Sequence, residues 1–434
     1  MKKILLHILT GLLIGTYGFA QTPQPAQPQN EAILLKGGTA HIGNGEVIEN
    51  ALIGFDNGRL TLVVDARRVR IDVAGYKVID VSGQHIYPGF ILPDSQIGLR
   101  EVTAIDAMDD QNEVGELKPN VRSLIAFNTD SKISPTLRYN GVLIVESTPV
   151  GGRISGTSSV MNLEGWNWED AALKADIGIH MNWPHRISRQ FDFETFTYKR
   201  EPNKEYGSQV QELDAFFQDA RSYSRLVDKE RNLKLEAMGG LFTGDKILFI
   251  HAGGAKEIVE SVRFAEDHEV EKIVILAGDV ALDAASFLAE HKISVILPPT
   301  HQLPDNADID VYLPFKMPYL LTKAGVTVAL SHDGMLANAR NLPFYAGSAA
   351  AYGLSKEEAL QLITLNAAKA LGIDGEAGSI EEGKRATLFV SKGDALDMMS
   401  NNLSYAFIDG KQIVLDNEQQ ALYKRYTEKY QSEK

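Results

Sequence analysis

Cysteine is absent from the 434-residue chain, which excludes disulfide staples, Cys-based zinc sites and a lipidated N-terminal cysteine. The spacings H-x-H, H-E-x-x-H and C-x-x-C are missing too. No standard zinc centre is therefore written in consecutive residues, and neither a phosphate loop nor a hydrolase serine motif is present. Positive charge is scarce: 43 Lys and Arg face 57 Asp and Glu, a net charge of −14. That balance speaks against a nucleic-acid partner and otherwise reads as a solubility feature. Long apolar runs are lacking as well. The N-terminal run from Ile4 to Gly15 falls well short of the ~20 residues of a spanning helix, and no other stretch approaches that length, so no membrane span is expected.

What is there is an ordinary globular composition, 44 % apolar and 23 % charged, over a length that suits one large domain with a smaller one attached. Lys2 and Lys3 precede the first apolar run, and Gly18 and Ala20 follow it. This predicts a signal peptide over 1–20, cleaved after Ala20, and a periplasmic or secreted protein. Residues 21–31, with Pro23, Pro25 and Pro28 among glutamines, predict an extended linker. From 32 to 84 short apolar segments alternate with turns. Asn44-Gly45 and Asn57-Gly58 mark hairpins, because both central residues of such a turn need positive φ.

The same pattern returns over 376–416 in ATLFVSKG, SYAFIDG and KQIVL, so the two ends are expected to form one composite β-sandwich domain. Between them, residues 85–375 alternate apolar strands with amphipathic helices, most clearly in KILFIH, AKEIVESVRFAEDH, KIVILA and ISVILPP. That is the pattern of parallel βα units, compatible with an eightfold barrel or a doubly wound sheet. Ser355 and Glu358 predict a capping box, and Asn366 caps a second helix that Gly372 closes. A last helix is expected over 417–434.

The segments HIYPGFILPDSQIGL (85–99), HAGGAKEI (251–258) and GVTVALSHDG (325–334), taken in order, resemble the ends of the first, fifth and eighth barrel strands of the amidohydrolase superfamily. Within it, the chain resembles the exported imidazolonepropionase-like branch. LSKEEALQLITLNAAKALGI and GSIEEGKRATLFVSKGDALD are similar to that family's closing helices and its return to the β-domain. The resemblance implies an α/β fold of the (β/α)8 barrel type, with an active site at the C-terminal strand ends. It implies metal-assisted hydrolysis of a C–N bond, an aspartate at the eighth strand taking the proton of water. Matched position by position, His251 stands for the fifth-strand ligand and Asp333 for the eighth-strand aspartate. The two histidines that usually follow the first strand are replaced, since the positions read Leu92, Pro93, Asp94, Ser95, Gln96. Ala277 stands where binuclear members carry a histidine.

Asp333 is the leading candidate, as base or metal ligand; its structural alternative is to cap the following turn. His251 is either a ligand or a hydrogen-bonded core histidine. Asp94 and Gln96 add oxygen donors to a mixed site for one divalent metal, zinc or manganese before others, or have drifted after the metal was lost. His332 is expected to point away from its neighbour Asp333. Arg153, in the loop TPVGGRISGTSSV, offers a fork of donors to a substrate carboxylate. His268 and His291, in charged helical stretches, are expected to face solvent.

Three functions are compatible with these residues. The first is hydrolysis of non-peptide or small-peptide C–N bonds at a reduced, mononuclear metal site. The second is a catalytically inactive homologue without metal, a periplasmic binding module or the partner subunit of a paralogue or of a homo-oligomer. The third is metal-free hydrolysis with Asp333 as general base.

Overall fold

The structure, a computed structural model, describes residues 24–431 apart from 103–104, 193–195 and 305–307. The expected signal peptide, 1–20, lies outside the described residues. Residues 24–31 have no regular secondary structure but are tied down. The Ala26 amide donates to Glu164, and the Gln29 side chain bonds the Gly58 amide and the Phe55 carbonyl.

Five strands open the chain: β1 (Ala32–His41), β2 (Val47–Asp56), β3 (Arg59–Asp65), β4 (Tyr76–Asp80) and β5 (His85–Pro88). β1 pairs antiparallel with β2 and parallel with β4 and β5, while β3 lines the far edge of β2. Asn57 and Gly58 take φ of 48° and 77°, so the Asn-Gly pair makes the tight turn between β2 and β3 as expected.

The barrel follows directly. It begins with β6 (Phe90–Ser95), β7 (Val142–Ser147), β8 (Ile154–Asn162) and β9 (Ala172–Asn182). A separate hairpin of β10 (Ile187–Asp192) and β11 (Thr197–Pro202) interrupts it. β12 (Ile247–His251), β13 (Ile273–Leu276), β14 (Ser294–Leu297) and β15 (Val328–Leu330) complete eight strands in one sheet. Neighbours are parallel except at β8, which runs against both β7 and β9. The reason is local: residues 148–153 are too few for the crossover that a parallel strand needs. Gly151 and Gly152, at φ of 80° and 69°, turn the chain back instead.

Alternation along each strand splits the apolar side chains into two sets. Ile91, Ile144, Val160, Phe249, Val274 and Ile296 fill the barrel interior. Leu248, Ile250, Ile275 and Val295 face outward to Ile258 and Val262 of the helix Ala255–Asp267 and to Leu321 of the helix Leu313–Lys323. The ring is nearly closed. Across the gap between β15 and β6 the Ser331 hydroxyl donates to the Pro93 carbonyl at 2.7 Å. The carbonyls of Leu362 and Ile363 take up the Leu330 and Ile91 amides. The capping box at Ser355 and Glu358 is present. Asn366, in contrast, caps nothing: Thr364 precedes that helix, and the Asn366 amide donates to the Val328 carbonyl, fixing the helix to β15.

The chain then returns with β16 (Leu388–Ser391), β17 (Leu403–Ile408) and β18 (Lys411–Gln412). β16 pairs antiparallel with β5, so both ends of the chain share one hydrogen-bonded sheet, which curls until Phe55 of β2 meets Phe407 of β17 with ring centres 5.0 Å apart. The helix Glu418–Gln431 is exposed along its length. Among the described residues no helix is long and apolar enough to cross a membrane.

Only Gly89 separates β5 from β6, so the two sheets meet at one residue. Phe389 of β16 seals that joint. Fully buried, it packs edge-on against Phe90 with ring centres 4.9 Å apart and stacks on Tyr87 at 5.4 Å. Phe389→Ala is expected to cost about 3–5 kcal/mol, the usual range for deleting a buried phenyl group. Denaturant unfolding measures this, and a loss under about 1 kcal/mol would remove the joint from the account.

Candidate active site

Strand alternation carries the barrel's interior face up to its C-terminal rim. Ile144 and Glu146 share that face on β7, as do Ile247, Phe249 and His251 on β12. On β9 the ring of His180 stacks on Phe249, with centroids 4.6 Å apart and planes within 11°. The top of the apolar core is thus replaced by a polar layer.

Glu146, fully buried, accepts three hydrogen bonds there: from the Ser158 hydroxyl at 2.7 Å, from His180 Nε2 at 3.0 Å, and from the Asp94 backbone amide at 2.8 Å. A carboxylate can only accept from the imidazole, so the His180 proton sits on Nε2 and the Nδ1 lone pair points the other way. Nδ1 faces His251 Nε2 at 3.1 Å and Asp94 Oδ1 at 3.9 Å, and His251 Nε2 lies 4.0 Å from the same oxygen. Asp94 reaches this position from a left-handed backbone, φ 48°, a conformation aspartate tolerates better than most residues. Burial pushes the Asp94 carboxyl up to about 7, with Glu146 and Asp333 adding to the rise and His180 opposing it. Burial, with His180 alongside, pushes His251 down to about 3 and keeps its imidazole neutral.

These three atoms form the one group of metal-ligand type found among the described residues. A point equidistant from all of them lies about 2.1 Å from each, inside the usual range of zinc–nitrogen and zinc–oxygen bonds. Two imidazole nitrogens, one carboxylate and a buried second carboxylate orienting a ligand ring suit a borderline divalent ion. The donor set therefore fits one metal. Ala277 lines the same space and offers no ligand, so there is no histidine at that rim position for a second.

Above the triangle lies a cavity of about 400 Å³, bordered by Asp94, Asn182, Trp183, His185, His251, Ser331, His332 and Asp333 on its polar side. Asp333 is exposed in it, and among the described residues its carboxylate accepts no hydrogen bond. His332 borders the cavity as well, contrary to the expected alternation, because both residues lie past the end of β15. Its Nε2 proton goes to the Met335 carbonyl, so Nδ1 accepts from the Tyr345 hydroxyl.

Of the residues singled out in sequence, Asp94, His251 and Asp333 come together. Gln96 does not line the cavity. Arg153 does not either, and its guanidinium is engaged by Glu212 at 2.6 Å and Glu116 at 3.3 Å. His268 is buried against Phe264 and bonded to Asp214, not solvent-facing. His291 is bonded to Glu266. The sequence reading missed His180 and Glu146. Glu146 is the single ionisable residue of VLIVES, and His180 interrupts the apolar run IGIHM near the end of β9. A charge buried there without purpose is costly, and that was the available signal.

The site thus lies at the C-terminal strand ends of a nearly closed eight-stranded α/β barrel. Residues 242–413, which include His251 and Asp333, match the amidohydrolase family. Among solved structures the chain is similar to an amidohydrolase from Thermotoga maritima, with 25 % identity and a TM-score of 0.76 over 88 % of this chain and 99 % of that one. It is similar to a prolidase complexed with N-methylphosphonate-L-proline, with 16 % identity and a TM-score of 0.53 over 88 % and 99 %. A third is an adenosine deaminase from Xanthomonas campestris with bound zinc, at 17 % identity and a TM-score of 0.51 over 94 % and 98 %. No curated protein matches. The family match over residues 242–413 and the shared fold make the chain similar to members of the amidohydrolase superfamily.

Glu146→Gln keeps the side chain's shape but replaces one acceptor oxygen with a donor, so it cannot serve the Asp94 amide, Ser158 and His180 together. Zinc affinity, read by competition with a chromophoric chelator, is expected to fall roughly 10–100-fold. Unchanged affinity would show that Glu146 does not orient the ligands.

Proposed function

We propose that this chain hydrolyses a C–N bond of a small non-peptide or small-peptide substrate, using one divalent metal held by Asp94, His180 and His251 and Asp333 as the base. The observation that carries this is the convergence of those three ligand atoms beneath a cavity that Asp333 enters. When bound, the metal supplies Lewis acidity toward a carbonyl oxygen and water. Glu146 holds His180 in the tautomer whose lone pair faces the site. Asp333, with no competing hydrogen bond among the described residues, takes the proton of the attacking water as the C–O bond forms and delivers it to the nitrogen as the C–N bond breaks. Trp183, Leu276 and Ile296 exclude bulk water from the walls. Zinc in an adenosine deaminase of similar fold supports the choice of metal.

The decisive experiment is elemental analysis of chain 21–434 purified without chelator. About one zinc or manganese per chain, lost in His180→Ala, is expected, while Asp333→Asn keeps the metal and loses about 10²–10⁴-fold in turnover. A metal-free protein that still hydrolyses in chelator would favour Asp333 acting alone, and one with neither metal nor turnover would favour the binding module. Export belongs to the same proposal: N-terminal sequencing of the protein from the periplasm or medium is expected to start at Gln21, and an intact Met1 in the cytoplasm would contradict it.

A further inference from the structure

The cavity carries fixed charge of one sign. Asp94 and Asp333 line it, with Glu257 bonded to His185 at its edge. Among the described residues its lining contains no lysine or arginine. The arginines on adjoining segments are committed elsewhere, Arg153 to Glu116 and Glu212 and Arg186 to Glu260. The imidazoles of the lining are engaged as well: His251 faces His180, His332 bonds Met335 and Tyr345, and His185 bonds Glu257.

One divalent ion balances the two aspartates and leaves no surplus. A substrate carboxylate entering here would lose water and gain no counter-ion, facing like charges at short range. The opposite wall is apolar, formed by Leu276, Ala277, Ile296, Leu297 and Pro298. Leu297 and Pro298 also border a separate, water-sized recess beside Asp279 and Met317.

Resting on the hydrolytic reading above, we propose that the substrate is an amide without a carboxylate, whose branched apolar group lies on the wall of Leu276, Ile296, Leu297 and Pro298. Recognition is by shape and exclusion of charge, since among the described residues no lysine or arginine lines the cavity. An acidic analogue is rejected because its charge has no partner, not because it is too large.

Two probes that differ only in charge test this: N-isovaleryl-glycinamide and N-isovaleryl-glycine, with the metal-loaded chain 21–434. Binding is read by calorimetry and hydrolysis by release of isovalerate. The amide is expected to bind at least about tenfold more tightly than the acid. Pro298→Arg supplies the missing cation and narrows or reverses the preference. Ile296→Ala removes part of the wall and weakens the isovaleryl amide more than N-acetyl-glycinamide. Melting curves confirm that each variant is folded, and if one is not, the probe pair on the unaltered protein decides alone. Equal or tighter binding of the acid, or no binding of either probe, overturns the inference. Binding of the amide without hydrolysis overturns the hydrolytic reading and leaves the recognition argument standing. Hydrolysis of the acid at the rate of the amide does the reverse.

Discussion

Beneath the barrel's mouth a fully buried glutamate accepts hydrogen bonds from a hydroxyl, an imidazole and a backbone amide, and the geometry of the site depends on those three bonds. An isolated carboxylate in that position would be strongly destabilising, and its donors would be equally exposed to loss if it were removed. The arrangement therefore persists only as a unit. Glu146 fixes the face of His180 through one oxygen and holds the Asp94 backbone through the other, so β6, β7 and β9 are registered by a polar contact where the apolar core ends. A barrel interior made only of Ile, Val and Phe would pack as well but would leave the height of Asp94 relative to His180 unspecified.

Closure of the barrel serves the same site from the other side. β15 and β6 do not share a regular ladder, and the Ser331 hydroxyl on the Pro93 carbonyl substitutes for one. That bond lies next to Asp94 on one strand and two residues before Asp333 on the other. The N-terminal sheet contributes at a distance: β5 and β16 clamp the start of β6 through Tyr87, Phe90 and Phe389, which limits how far the Asp94 end can tilt.

The fold was legible because its signals are local and repeated. Asn57-Gly58, the capping box at Ser355, and the succession of KILFIH, KIVILA and ISVILPP each name an element without reference to the rest. β8 was not legible as a reversed strand, since its direction is decided by the length of the connection before it. Asn366 was misjudged for a related reason: a polar residue near a helix start can cap it or bond a neighbouring strand, and only packing decides. The site was half legible. Asp94, His251 and Asp333 sit at strand ends, where a barrel displays its chemistry. His180 and Glu146 lie one layer deeper, in strands that read as ordinary core.

The absence of an H-x-H pair after the first strand looks at first like the loss of a metal centre, but the strands of a barrel converge on one axis, and a ligand can be supplied from another strand at little cost in geometry. Here β9 brings a histidine to the edge of β12, and the first strand contributes a carboxylate in place of imidazole. The exchange has a chemical consequence. One nitrogen donor replaced by an anionic oxygen makes the site harder and lowers the positive charge that remains after binding. On the proposed reading such a centre would polarise a neutral carbonyl while holding an anionic substrate less well, the same direction in which the lack of lysine and arginine among the described lining residues acts.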